Sequence, residues 1–267
     1  MRSHDPNLIA RSKVDWVFQQ LQEIQLHLSS PLSQASVLVF GCGYRYPEVV
    51  ILSSMAERTV GIDIIQSYYR DGLFATFKDI HRKERTLPSI LKTLLYTYES
   101  IGYFEALCEA ASITPKSHAQ YELRTYDGTQ MPFGSQTFDL VISNSVLEHV
   151  EKLDVVIREI ARVTKKGGLS FHVWHNFYSY SGGHAPEPMC RKYPWGHLRG
   201  KYNMPFLNEA TPTQISEIFS RYFEEVHWRY DFPEQASLLD QYLPQLPYPH
   251  DLLLHKSCIL KATAPLP

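Results

Sequence analysis

Apolar side chains recur three and four positions apart at Val14, Val17, Phe18, Leu21, Ile24 and Leu28, which predicts an amphipathic helix over residues 11–29, with Pro31 just beyond its end. The pattern then changes. Val37, Leu38, Val39 and Phe40 form a short unbroken apolar run, as a parallel strand buried on both faces does, and Gly41 and Gly43 follow it. Residues 47–55 suit a first crossover helix with Pro47 in its first turn, and residues 59–63 (Thr-Val-Gly-Ile-Asp) suit a second strand. The stretch from Ile65 to Thr114 is longer than a plain crossover, for which about a dozen residues suffice. Ile90, Leu91, Leu94, Leu95 and Tyr98, then Tyr103, Phe104, Leu107 and Cys108, stand at helical spacing within it. They predict a helical insert over residues 65–118, which either covers substrate or adds core on an outer face.

Tyr121 to Tyr126 alternates as a strand does, and Phe138 to Ser145 is an apolar strand ending in small polar residues. Val146 to Thr164 reads as a helix whose C-terminus Lys165 and Lys166 complement and Gly167-Gly168 stops, and Leu169 to Trp174 as the next strand. Thr211 is an N-cap for a helix that starts at Pro212 and runs through Phe219. Val226 to Tyr230 and Ser257 to Lys261 are two closing strands, with an irregular loop between them at Pro233, Pro244, Pro247 and Pro249. Strand and helix alternate, so the fold class is α/β, a doubly wound and mostly parallel sheet in one domain over residues 1–267.

Composition narrows the partners. A chain of 267 residues that is 44% hydrophobic buries one sizeable core. Lys and Arg number 26 against 28 Asp and Glu, a net charge of -2 without a basic stripe, which argues against a nucleic-acid partner. Cys42, Cys108, Cys190 and Cys258 form no C-x-x-C pair and follow no signal peptide, so they read as reduced, buried thiols of a cytoplasmic protein. No apolar run reaches the roughly 20 residues that span a bilayer.

The chemistry begins at the glycine turn. Without a Cβ, Gly41 and Gly43 allow positive φ and close approach of a ligand, at the strand edge where open α/β sheets bind nucleotides. A dinucleotide fingerprint wants a third glycine where Tyr46 stands, and no G-K-[ST] of a P-loop is present. Asp63 ends the second strand and can accept both hydroxyls of a ribose, or else cap a helix. A nicotinamide oxidoreductase would share Gly41, Gly43 and Asp63.

The series V-L-V-F-G-C-G (37–43), V-G-I-D (60–63), Y-D-G-T-Q-M-P-F (126–133), F-D-L-V-I-S-N-S-V-L-E-H-V (138–150) and K-K-G-G-L (165–169) resembles a class I S-adenosylmethionine (SAM)-dependent methyltransferase. The nearest group is the ubiquinone/menaquinone-methylase-like one, type 11. The resemblance covers Ser36 to Trp174 apart from the insert. It implies a Rossmann-like sheet of seven strands with an antiparallel last strand. It also implies that Gly41, Cys42 and Gly43 border the methionine end of SAM, that Asp63 holds the ribose, that Asp127 and Gly128 contact the adenine edge, and that Asn144 and Ser145 flank the cofactor near the methyl group. The chain departs from the family where Val39 replaces an acidic residue and Arg45 a glycine. Glu48 or a backbone carbonyl is then the candidate to hold the SAM ammonium.

After Trp174, residues 175–210 follow a strand end with aromatic, His and Arg side chains in no clear period. That marks a substrate loop, or else a satellite core under a long connection. His175 and His184 are the candidate general bases for removing a hydroxyl proton. Tyr178, Tyr180, Arg191, Trp195, His197 and Arg199 are the candidate substrate contacts, suited to a neutral or anionic ring. His149 reads as a supporting residue. The histidine spacing matches no metal motif, so no metal is expected. The function expected is methylation of a small molecule, first of all O-methylation of a sugar or phenol. C- or N-methylation, or SAM binding without turnover, are the alternatives.

Overall fold

The computed structural model describes residues 5–64, 100–116, 120–202 and 206–266. Seven strands form one sheet in the order β3-β2-β1-β4-β5-β7-β6. They are β1 Ser36–Phe40, β2 Arg58–Asp63, β3 Glu122–Thr125, β4 Phe138–Asn144, β5 Thr164–His175, β6 Phe223–Pro233 and β7 His255–Pro265. β1 runs parallel to β2 and β2 to β3, whereas β7 is antiparallel to both β5 and β6. The doubly wound sheet with an inserted antiparallel strand is therefore present as expected. Among the described residues no helix is long and apolar enough to cross a membrane.

The chain divides into two compact units, Met1–Gly128 with Phe138–Leu140, and Thr129–Thr137 with Val141–Pro267. In the first, helix α1 (Pro6–Gln25) starts where the Asp5 side chain accepts the Asn7 N–H at 3.0 Å and Pro6 fills the first helical position. Its face of Val14, Val17, Leu21 and Ile24 is buried, as the spacing predicts. Helix α2 (Pro47–Leu52) stops three residues earlier than the sequence suggests. The Ser53 and Ser54 hydroxyls donate to the carbonyls of Val50 and Ile51 and so close its last turn. Of the insert, residues 100–110 are helical and bury Tyr103, Phe104, Leu107 and Cys108. Residues 65–99 of that expected insert lie outside the described residues.

In the second unit the long helix expected from Val146 is shorter. Leu147–His149 is a single 3-10 turn, and the α-helix runs only over Leu153–Val163. Asn208 supplies the reason: its amide donates to the carbonyls of Leu147 and Val150, and its backbone N–H takes the Glu148 carbonyl at 3.0 Å. The Leu147 carbonyl accepts the Val150 N–H at 3.3 Å as well as the Asn208 amide, so these bonds hold the segment as a 3-10 turn. At the far end Gln136 and Thr137 N–H groups donate to the Arg162 and Val163 carbonyls, both at 2.8 Å, and the Thr164 hydroxyl donates to Ile160. Lys165 to Gly168 consequently belong to β5 rather than to the helix end. The helix Pro212–Phe219 begins in the expected way, with a capping box between Thr211 and Gln214. The region around Pro244 and Pro249 is not an irregular loop: Ala236–Tyr242 and His250–Leu254 are helical, and they bury Leu239 and Leu253.

His172 in β5 is completely buried, with Ser143 Oγ 2.7 Å from Nδ1 and Ser170 Oγ 2.6 Å from Nε2. Burial lowers its pKa from 6.5 to about 3. Below pH 6.5 the unfolded chain therefore takes up a proton that the folded chain refuses. The stabilisation is complete above that pH and is lost as pH falls towards about 3. Urea unfolding between about pH 4 and 6 is expected to show a stability slope that His172→Gln reduces by roughly 1.4 kcal/mol per pH unit. An equal slope in the two proteins would refute this.

Candidate active site

In the first unit the end of β1 is shaped by its neighbour β2. The Gly41 and Cys42 N–H groups both donate to the Ile62 carbonyl, at 2.8 and 3.1 Å, and the Gly43 N–H donates to Asp63 Oδ2 at 2.8 Å. Gly41 and Gly43 have φ of 69° and 67°, which a side chain would strain. Among the described residues nothing lies within 4 Å of a Cβ placed on Gly43. Asp63 thus organises the turn with one oxygen. These residues fit a nucleoside-bearing cofactor. Asp127 is exposed beyond β3, and Gly128 has φ of 86°.

Tyr46 is completely buried in a left-handed conformation, its ring 5.8 Å from that of Tyr121. An aromatic ring fills the place of the third glycine of a dinucleotide fingerprint, which closes the tight helix-to-sheet approach that fingerprint serves. Glu48 is buried and forms an ion pair with Lys13 of α1. Its carboxylate therefore has a cation already. The Arg45 guanidinium lies 5.2 Å from the Tyr44 ring centre and 5.0 Å from that of Tyr103. Burial, then Glu48, pushes the Tyr103 hydroxyl up, while Arg45 opposes them.

In the second unit β4 ends at Asn144, and Ser145 follows at a φ of 55°, its N–H donating to the Val173 carbonyl at 2.8 Å. The segment Met131–Phe133 is held by the helix behind it. Glu159 accepts the Met131 N–H at 2.8 Å, and Arg162 donates to the Met131 and Phe133 carbonyls at 3.1 and 2.8 Å.

The end of β5 gathers the histidines. His175 and His184 rings are 4.6 Å apart, and His184 and His149 rings 5.0 Å. His175 Nε2 is 2.9 Å from Ser181 Oγ, which donates to the Glu234 carboxylate; the Ser181 N–H donates to that carboxylate at 2.7 Å. Since a hydroxyl has one proton and an ionised carboxylate only accepts, Ser181 must accept from His175 Nε2–H. The tautomer is thereby fixed with the lone pair on Nδ1. Burial first, then His184, lowers the His175 pKa from 6.5 to about 3; burial then His149 lowers His184 to about 4. Both rings are neutral near pH 7. Glu148 is 3% exposed, accepts the His175 backbone N–H at 3.1 Å, and is raised by burial to about 7.

Glycine makes this loop possible. A Cβ on Gly182 would lie 2.1 Å from the Phe177 carbonyl, and one on Gly183 would lie 2.6 Å from the His197 ring. Asn176 pins the loop from its other side by donating to the carbonyls of Leu252 and His255 at 2.6 and 2.8 Å.

The six expected substrate contacts are scattered in role. Tyr180 and Trp195 are buried in an apolar cluster with Cys190, Leu239, Leu246 and Leu253. Tyr178 donates to the Glu209 carbonyl at 3.0 Å with its ring 4.9 Å from Tyr248, and His197 Nε2 is 2.7 Å from the Phe177 carbonyl. Arg199 donates to the Pro194 carbonyl at 3.2 Å and lies over Tyr242, while Arg191 is exposed beside Glu187 at 3.0 Å. Glu148, Ser181 and Glu234 escaped the sequence reading. Glu148 could have been noticed beside His149, but Glu234 is 53 residues from Ser181 and carries no local signal.

A family model described as "Methyltransferase domain" (Methyltransf_11) matches residues 89–172. No curated protein matches the chain. Among solved structures it is similar to the PH0226 protein from Pyrococcus horikoshii OT3, at 14% identity over 95% of this chain and 90% of that one, with a TM-score of 0.50. An S-adenosylmethionine-dependent methyltransferase from Mesorhizobium loti gives 12% identity over 91% and 96%, TM-score 0.50. The [4+2]-cyclase SpnF gives 14% identity over 93% and 82%, also at 0.50. These likenesses concern the fold, which hosts more than one chemistry. The match to a type-11 methyltransferase-domain model over residues 89–172 and the seven-stranded sheet with its antiparallel β7 are what a class I SAM-dependent methyltransferase would show.

Proposed function

We propose that the chain methylates a hydroxyl of a small molecule, a sugar or a phenol, with His175 as general base. The carrying observation is the His175–Ser181–Glu234 chain, which leaves Nδ1 as the nitrogen able to take a proton. SAM, when bound, supplies a methyl group already activated by the sulfonium. Gly41, Gly43 and Asp63 hold the cofactor by turn geometry and carboxylate, Asp127 and Gly128 its base, and Asn144 and Ser145 its methyl end. Orientation of the acceptor oxygen then contributes on the order of 7 to 11 kcal/mol of the barrier. His175 Nδ1 takes the hydroxyl proton as oxygen attacks, and Glu234 through Ser181 supports the imidazolium that forms.

A small acceptor suits the net charge of -2, which gives no field for a phosphate polymer. All four cysteines are free and buried, which supports a reducing, cytoplasmic setting. The test is a tritiated-SAM transfer screen against extracted metabolites, with calorimetry for SAM and NAD. Label on small hydroxyl compounds and binding of SAM alone are expected. Label confined to protein or RNA would overturn the reading. SAM binding without any label would make the chain a binder.

A further inference from the structure

The 3-10 turn Leu147–His149 and the loop after β5 bring three metal-ligating side chains together. One ligand atom each from Glu148, His149 and His184 lies within 4.8 Å of the others. Two of these groups are short of partners in a way that needs explaining. Glu148 Oε2 and His184 Nε2 are buried and make no hydrogen bond among the described residues. A buried carboxylate oxygen and a buried imidazole nitrogen left without partners each cost free energy that a cation would offset.

The rest of the arrangement is that of ligands held from behind. Glu148 Oε1 accepts the His175 N–H at 3.1 Å, which leaves Oε2 for another partner. His149 hydrogen-bonds the Phe206 backbone, and such a bond fixes a ligand ring and its tautomer. His184 is held at a φ of 56° with its N–H donating to the Ser181 carbonyl at 2.9 Å. His149 is exposed, which gives an ion a way in.

We infer that Glu148, His149 and His184 form a binding site for a divalent first-row cation, Zn²⁺ by the character of the donors, with further positions open to water or a ligand. Two imidazoles and one carboxylate match that ion's preference for nitrogen and oxygen in sites that keep an open position. Donors at about 2.1 Å from a tetrahedral ion lie about 3.4 Å apart, so the trio must draw in by about 1.4 Å at most. The expectation from the sequence that no metal is bound rested on linear spacing, which the fold between residues 149 and 184 bypasses.

The inference stands apart from the methyl-transfer reading, because its readout is metal binding. The full chain is stripped with a chelator and titrated with Zn²⁺ by calorimetry, and with Co²⁺ by visible absorption. One equivalent of Zn²⁺ and a Co²⁺ spectrum of low coordination number are expected. Glu148→Gln and His149→Ala should each weaken Zn²⁺ at least about 10- to 100-fold, whereas His27→Ala, at the exposed end of α1, should change nothing. The exposed His149 is the substitution least able to disturb folding, and a thermal melt with and without Zn²⁺ checks each variant. No stoichiometric binding by the wild-type chain, or binding unaltered in a folded His149→Ala protein, would overturn the site.

Discussion

His175→Ala is expected to lower turnover by about 100- to 10,000-fold while SAM affinity stays as it is, because the change removes a proton acceptor and no cofactor contact. The Ser181–Glu234 pair makes this more specific than the loss of any buried histidine. Ser181→Ala removes the acceptor that holds Nε2–H, so the ring is free to adopt the tautomer whose lone pair faces the wrong way. It should therefore lower kcat more than it raises KM, and Ser181→Thr, which keeps the hydroxyl, should restore much of the rate. Added imidazole should partly rescue His175→Ala by occupying the vacated volume. The measurement is single-turnover transfer from labelled SAM at saturating acceptor. Turnover at the wild-type rate in His175→Ala would remove the base, and equal losses in Ser181→Ala and Ser181→Thr would remove the tautomer argument.

The second large effect belongs to Asp63. Its Oδ2 accepts the Gly43 N–H at 2.8 Å, so Asp63→Ala removes the bond that sets the glycine turn and, on the proposed reading, a ligand acceptor. Charge-assisted hydrogen bonds contribute about 1.5 to 3 kcal/mol, so SAM should bind roughly 10- to 150-fold more weakly by calorimetry. Asp63→Asn separates the two functions. Its amide oxygen still accepts from Gly43 but carries no charge, and the loss should fall between wild type and alanine. Unchanged affinity in both variants would detach Asp63 from the cofactor.

The parts of the molecule readable in the sequence are those whose cause is local. The strand Val37–Phe40, the glycine turn and the cap Thr211-Pro212 are each decided by side chains within a few residues, and all are present. What failed depended on contacts far along the chain. Asn208 converts the start of the expected helix at Val146 into a 3-10 turn from some 60 residues away, and Gln136 and Thr137 end that helix before its lysines. The aromatic loop gave composition but no period. Trp195 and Tyr180 proved to pack with Leu239 and Leu253, whose helices the prolines had disguised. The histidines were visible as residue types, but their neighbours Ser181 and Glu234 were not, since an unremarkable serine and a distant glutamate gain meaning only in three dimensions.

The two outermost strands carry a further consequence. β3 is four residues long and carries Glu122, whose carboxylate pairs with both Arg124 and Arg58; at the opposite border β6 exposes Glu224, Glu225 and Arg229 and ends on Pro233. A strand arriving from another molecule would have to strip water from these charges and, at β6, dock beside a residue with no N–H to give. Among the described residues both borders of the sheet thus carry features that oppose its growth by addition of a strand from another copy.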